Sequence, residues 1–334
     1  MNNIVTRMRQ SIDKELSSLI PTSNKFSLLD FPDHDNIGDS AIYLGETAYF
    51  ARSALRPSFT STCHVVDWKE ITERVADGPI FLHGGGNFGD LWPAFQEFRE
   101  NVLLRFQDRQ VIQLPQTIHF RNTKNIERTA RAIERHPAFT LFVRDNSSLE
   151  LATRNFECDV RLCPDMAFFL NIKKEGNPKH ELLLHLRNDK ESAQMHDSSK
   201  YANCMMVVRA DWPSEKRNFA FNSKLETVLQ SLTNLEITNK PLMREKYYRL
   251  LAGRRLKRGL SLLSSARLVI TDRLHGHILC VLLGIPHCVI DNSYGKLGSF
   301  MNTWGTMGDQ VYTATSLDDA VNVLTRAEGL KLKD

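Results

Sequence analysis

The chain reads as an α/β protein of two halves, each carrying its own sheet and facing the other across a cleft. Three observations lead there. Short apolar, β-branched runs alternate with helix-patterned stretches along nearly the whole length, which is the rhythm of strand–helix–strand units rather than of hairpins. A segment at 171–180, rich in Lys, Gly, Asn and Pro, interrupts that rhythm and reads as a linker. Leu268 to Ile290 spells out one complete unit: apolar Leu268–Ile270, polar Thr271, Asp272 and Arg273, an apolar helix from Ile278 to Leu283, a stop at Gly284 and Pro286, then Val289-Ile290. The expected halves are 1–172 and 180–334.

The elements follow in order. Ile4, Met8, Ile12 and Leu16 recur at helical spacing, so 4–20 is a helix. Strands are expected at 25–30, 63–66, 79–82, 111–114, 140–143 and 159–162, with helices at 41–55, 68–75, 94–106, 125–135 and 147–155 between them. Cys163-Pro-Asp165 breaks the last of these strands. In the second half, strands are expected at 181–186 and 204–208, a polar loop at 188–201, a helix at 223–232 and a long basic helix or helix pair at 242–263. A helix near 297–303, a short strand at 311–312 and a helix at 317–326 close the pattern. The Arg254-Arg255-Leu-Lys257-Arg258 run is the kind of charge cluster that lies on a solvated face.

Composition narrows the class. The 334 residues suffice for two cores, and 42% hydrophobic with 25% charged residues is the balance of a soluble globular protein. A formal charge of +4 is too small to point to nucleic acid, yet suits an anionic substrate or weak association with acidic membranes. Met1 to Ile20 is amphipathic and charged, without the apolar run of a signal peptide or membrane span. Six scattered cysteines form no Cys-x-x-Cys pair and read as buried thiols of a reducing, cytoplasmic compartment.

Chemistry concentrates where strands give way to helices, because free N–H groups at helix N-termini gather there. Arg273 and His275 occupy such a place. The arginine suits a carboxylate or phosphate, and the histidine can move protons at neutral pH. His277 lies two residues on, on a different helix face, so a packing role is expected rather than a shared metal. The loop from Phe31 to Ser40 brings Asn36, Gly38 and Asp39 to a second strand–helix junction, crowded by Asp33, His34 and Asp35. There Asp39-Ser40 can also serve as a helix cap. His83-Gly-Gly-Gly-Asn-Phe-Gly-Asp90 follows a strand and would present backbone N–H groups to a ligand, although it is neither a Walker loop nor a Gly-x-Gly-x-x-Gly turn. Arg144-Asp145 ends a strand as Asp272-Arg273 does, and Gln113 and Gln116 flank Pro115 at another strand end.

These blocks, Asn36-Ile-Gly-Asp39, His83 to Gly89, Arg144-Asp145 and Asp272-Arg-Leu-His-Gly-His277, stand in the order found in polysaccharide pyruvyl transferases. Gly284-Ile-Pro286 and Lys296 resemble that family's C-terminal signature, so the resemblance spans roughly residues 30 to 300. It implies a GT-B-like fold, two Rossmann-like domains with the active site between them. It also implies transfer of pyruvate from phosphoenolpyruvate to two hydroxyls of a sugar in an exopolysaccharide or its lipid-linked precursor, with a cyclic ketal and phosphate as products. On that resemblance Arg273, Arg144 and Lys296 would hold the donor's anions. His275 would transfer a proton or hydrogen-bond the leaving phosphate, and Asp39 would be the base on the acceptor side. Asn36, Gly84, Gly85, Gly86 and Asn87 would complete substrate binding. No metal or cofactor is called for beyond the donor substrate, and the place of action expected is the cytoplasm or the inner face of the membrane, beside the polysaccharide synthesis machinery. Two alternatives stand behind it. A GT-B glycosyltransferase using a nucleotide sugar is disfavoured by the lack of an acidic ribose-binding motif in the C-terminal half. A non-catalytic partner in a synthesis complex is disfavoured by the joint presence of Arg273, His275 and Asp39.

Overall fold

A computed structural model describes residues 3–187, 201, 206–213, 240–291, 295–305 and 308–331. Two parallel sheets organise it. The first contains β1 (Ser27–Leu29), β2 (Phe59–Ser61), β3 (Ile80–Leu82), β4 (Gly85–Gly89), β5 (Val111–His119), β6 (Phe139–Val143) and β7 (Asp159–Leu162). Its order is β2-β1-β3-β5-β6-β7, and β4 pairs with the far part of β5, continuing the lane of β3. The second sheet holds β8 (His180–His185), β9 (Val207–Ala210), β10 (Ala266–Thr271), β11 (His287–Ile290) and β12 (Val311–Ala314), in the order β12-β11-β10-β8-β9. This is the expected α/β class with two Rossmann-like sheets.

The helices are α1 (Asn3–Leu16), α2 (Ile37–Ala51), α3 (Trp68–Val75), α4 (Pro93–Arg105), α5 (Thr123–Glu134) and α6 (Asn146–Asn155), then α7 (Lys240–Ser264), α8 (Leu274–Leu283), α9 (Lys296–Trp304) and α10 (Leu317–Glu328). Local chemistry sets their ends. Asn36, Asp67, Asn122, Asp145 and Ser316 each accept a backbone N–H of the first turn that follows, and α4 opens on Pro93. Gly284 and Gly329 close α8 and α10 in the left-handed region, where glycine carries no Cβ penalty. The β1, β3 and β6 strands are buried along their full length, as parallel strands covered on both faces must be.

Several elements differ from expectation for identifiable reasons. The second strand lies at 59–61 rather than 63–66, because the Thr62 hydroxyl takes the Val65 N–H and turns the chain out of the sheet. Both α2 and α8 start four residues early, so Gly38, Asp39 and His275 are helical residues of first turns. The glycine stretch forms a strand, β4, and not an open loop. The basic run on α7 is only partly solvated: Arg254 and Lys257 are exposed, but Arg255 is buried and donates to the Pro32 carbonyl and to Asp33.

That last contact reflects how α7 packs. It comes from the second half of the sequence yet lies against the first, where Tyr248 stacks on Phe31 at 4.1 Å and Arg244 donates to the Thr60 carbonyl. The main core is accordingly continuous, joining Phe31, Ile37 and Ala41 to Leu251, Leu256, Leu274 and Ile278. Of the cysteines, Cys163, Cys280 and Cys288 are buried and Cys63 and Cys158 half-buried, all as free thiols. Cys204, the helix expected at 223–232 and the loop at 188–201, Tyr201 excepted, lie outside the described residues. Among the described residues no helix is long and apolar enough to cross a membrane.

Candidate active site

A cavity of about 580 Å³ is lined from both sheets at the carboxyl ends of their strands. From the first come the Phe31–Asn36 loop and Asp39, Gly86 and Asn87 of β4, and Arg144 at the end of β6; from the second come Arg187, Asp211, Arg273, His275 and Lys296.

The β10–α8 turn places Arg273 and His275. The Arg273 guanidinium grips Asp211, just beyond β9, with both Nε and Nη2, the latter at 2.7 Å. It is therefore already held in a bidentate pair inside the cavity. His275 turns towards the first half instead, its Nε2 3.3 Å from Oδ2 of the buried Asp165. That separation suits an ion pair but is off the line of a good hydrogen bond, and Nε2 is buried. Arg144 reaches the same Asp165 oxygen with Nη1 at 2.6 Å, while its Nε donates to Thr117. Burial alone would push the Asp165 carboxyl up, but His275, Arg144 and the Ala167 N–H hold it well below the usual carboxylate range.

At the N-terminus of α2 the cap is Asn36, not Asp39-Ser40. Its Oδ1 accepts the Gly38 N–H at 3.0 Å and its Nδ2 donates to Asp39 at 2.7 Å, which leaves the Asp39 carboxylate on the cavity. Gly38 lies flat against the imidazole of His275: a Cβ there would stand 2.3 Å from Nδ1. The Gly in Asn-Ile-Gly-Asp is thus the gap through which a side chain of the second half reaches the first.

The glycine strand works differently from a phosphate loop. The Gly84 N–H is taken by buried Glu46 at 2.8 Å and the Asn87 N–H by Gln116 at 3.2 Å, so neither is presented to a ligand. Gly84 and Gly85 do not line the cavity; Gly85 has φ 130° and packs beside Asp39. Gly86 does line it. A Cβ on Gly86 would sit 3.0 Å from Arg144 Nη2 and 3.7 Å from Lys296 Nζ, so two cations converge over bare backbone. Asn87 is fixed through its Oδ1 by Arg99 and Gln116.

His277 is buried away from the site. His287 Nδ1 donates to the Ile285 carbonyl, so its Nε2 must accept from His277 Nδ1 at 2.8 Å. Burial keeps both rings neutral, pushing His287 down to about 4 and His277 well below the ordinary imidazole range. Together they pack the core.

Sequence reasoning passed over Asp165, Asp211, Arg187, Glu46 and Asp30. Asp165 shows in the sequence only as a residue that breaks a strand. Glu46 sits mid-helix, where it pairs with His83 at 2.8 Å beneath the glycine strand; burial works against a charged His83 ring, but Glu46 outweighs it and raises its pKa. Asp30, at the end of β1, holds a left-handed φ of 68°. None of these carries a spacing signal, because each acts through a partner remote in sequence.

Two Rossmann-like sheets meeting at a cavity rich in cations are the frame of an α/β enzyme built to handle an anionic group. The chain belongs to the polysaccharide pyruvyl transferase family, whose model matches residues 36–294, beginning at the Asn36 cap. It is 32% identical over 324 residues to Pyruvyl transferase 1 of Schizosaccharomyces pombe, covering 90% of this chain and 75% of that one. A Bacillus subtilis protein, provisionally assigned as the pyruvyl transferase EpsO, is 30% identical over 308 residues, covering 88% and 90%. The crystal structure of a functionally uncharacterised protein of Klebsiella pneumoniae superposes with a TM-score of 0.59, covering 95% of this chain and 100% of that one at 21% identity, a likeness of fold.

Proposed function

We propose that this enzyme transfers the pyruvyl group of phosphoenolpyruvate to two hydroxyls of one sugar, in an exopolysaccharide or its lipid-linked precursor, forming a cyclic ketal and releasing phosphate. The observation that carries the proposal is the convergence of Arg144 and Lys296 over Gly86, in a cavity that Arg187, Arg273 and His275 also line. A donor bearing both a carboxylate and a phosphate calls for several cations within one small space. The acceptor's side is the Phe31–Asn36 loop with Asp39, and exposed Trp92 and half-buried Phe95 stand beside it, surfaces suited to a sugar's polar edge and apolar face.

The chemistry asks for proton relays. The enol methylene gains a proton to become a methyl group, two sugar hydroxyls each lose one, and the second of those protons leaves on the phosphate. One C–O bond forms per hydroxyl, and the C–O bond to phosphate breaks. Among the titratable groups on the cavity, His275 and Asp39 are assigned to take and return protons, while Arg144, Arg273 and Lys296 hold the donor's charge. An acceptor carried on a lipid would bring the enzyme to the inner membrane face.

The test offers the protein phosphoenolpyruvate and, separately, nucleotide sugars, and follows thermal stabilisation and phosphate release. Stabilisation by phosphoenolpyruvate, with phosphate release once a sugar acceptor is added, is the expected result. A response to nucleotide sugars alone would make the protein a glycosyltransferase, and no response to either would make it a non-catalytic partner.

A further inference from the structure

We infer that Asp165 is a positioning residue that fixes the His275 ring so that Nδ1 is the nitrogen exchanging protons with bound substrate. Pyruvyl transfer supplies only the identity of that substrate; the arrangement of the ring stands on its own geometry.

Asp165 is buried and absent from the cavity wall, so it acts through others. Its Oδ1 caps the short helical turn Met166–Phe169 through the Ala167 N–H, which ties the carboxylate to backbone between the two sheets. Its Oδ2 is the meeting point of Arg144 Nη1 from the first half and His275 Nε2 from the second. Arginine can only donate, and an ionised carboxylate can only accept. A neutral His275 ring facing that oxygen therefore keeps its proton on Nε2 and a lone pair on Nδ1. The 3.3 Å approach is longer and less aligned than a finished hydrogen bond, as pairs of this kind often are before substrate tightens them.

The ring is held from the other side too. Gly38 leaves it just enough room against the first turn of α2. Nδ1 has no hydrogen-bond partner among the described residues and, unlike Nε2, is not enclosed, so it is the nitrogen in touch with the cavity. With its lone pair there, Nδ1 can take the proton of an attacking sugar hydroxyl as the C–O bond forms. The imidazolium, balanced by Asp165, then returns that proton to the departing phosphate oxygen and the ring is neutral again. This is the logic by which a third group orients a histidine base in other enzymes.

The test is spectroscopic. Imidazole ¹⁵N–¹H spectra, with His275 assigned by comparison with His275→Gln, report the tautomer at a pH where the ring is neutral. The wild type should show the proton on Nε2. In Asp165→Ala the acceptor that faces Nε2 is gone, so the neutral ring is no longer held with its proton there and the Nδ1-protonated form becomes populated. Turnover should then fall about 10³-fold, by analogy with the loss of the orienting carboxylate in serine proteases, whereas a purely structural Asp165 would lower the melting temperature and leave the tautomer where it was. A wild-type ring protonated on Nδ1, or a tautomer unmoved in Asp165→Ala, overturns the inference; the wild-type spectrum decides even if the variant fails to fold. A wild type indifferent to phosphoenolpyruvate would sink pyruvyl transfer instead, and leave the tautomer result standing.

Discussion

Asp30 shows what burial demands of a single residue. It is buried at the end of β1 with a left-handed backbone, a conformation that costs a non-glycine residue of order 1 kcal/mol or more. Burial raises its carboxyl to about 7, against the pull of Arg99 and His83. Between the unfolded value near 3.8 and that raised value, the native state binds a proton that the unfolded chain has lost. Stability from this group is thus complete at low pH and disappears as pH rises through about 7. Asp30→Asn keeps the shape, tolerates the left-handed backbone and removes the charge. Its melting temperature should exceed that of the wild type by several degrees at about pH 8 and match it near pH 4; equal melting curves at both would place Asp30 in a more polar setting. Arg273 makes the complementary point, since its fork is already closed on Asp211. Arg273→Lys keeps the charge but loses the two-point grip, so kcat/KM for phosphoenolpyruvate should fall about 10²-fold in a folded protein. Near-normal kinetics would remove the arginine from donor binding.

At the scale of elements, the candidate site draws on first turns of helices, and this is where sequence was hardest to read. Amphipathic periodicity placed α1, α3 and α5 within a residue or two on their N-terminal sides, because their apolar faces are spaced for burial. It started α2 and α8 too late, because Asp39 and His275 line the cavity there, Gly38 packs on His275, and all three interrupt the apolar pattern. Strand β4 was read as a loop, since three glycines carry no strand preference; its pairing comes from β5, and Gln113 and Gln116 bind the carbonyl of His83 beside it. Arg273, His275, Asp39 and Arg144 were legible because strand–helix junctions announce themselves. Asp165 and Asp211 were not, because only folding brings them to their partners. Gly38→Ala tests the most exacting of these junctions. Alanine favours a helix interior by about 1 kcal/mol over glycine, so propensity predicts no harm. The new Cβ, however, would fall 2.3 Å from His275 Nδ1 and must push the ring away from Asp165. Turnover should drop at least tenfold while the melting temperature holds; wild-type turnover would mean that the ring moves aside at no cost to chemistry.

For the molecule as a whole, chain order and packing disagree in a way that bears on how the site is held. The boundaries at 1–172 and 180–334 divide the two sheets cleanly in sequence, but the core is not divided with them. Helix α7 is fastened to the first half by the Phe31–Tyr248 stack and by Arg255 on Pro32 and Asp33, the loop that leads into the cavity. Helix α1 answers from the other end: Arg9 donates to the Phe168 and Leu170 carbonyls between the halves, and Arg7 to the Trp304 carbonyl at the end of α9. A fragment ending at 172 would therefore leave Phe31, Ile37 and Ala41 without the leucines of α7 and the apolar face of α8. It would also strand Arg144 and Asp165 without His275. Uncovering several large apolar side chains at about 1.5–3 kcal/mol each exceeds what a single half can spare from a typical net stability of 5–15 kcal/mol. Residues 1–172 expressed alone should be aggregated or lack a cooperative melt, and the whole protein should unfold in one transition. Calorimetry of both decides it: two resolved transitions in the full chain, or a monomeric fragment that melts sharply, would mean that each sheet keeps its own core and that α7 merely rests on the first.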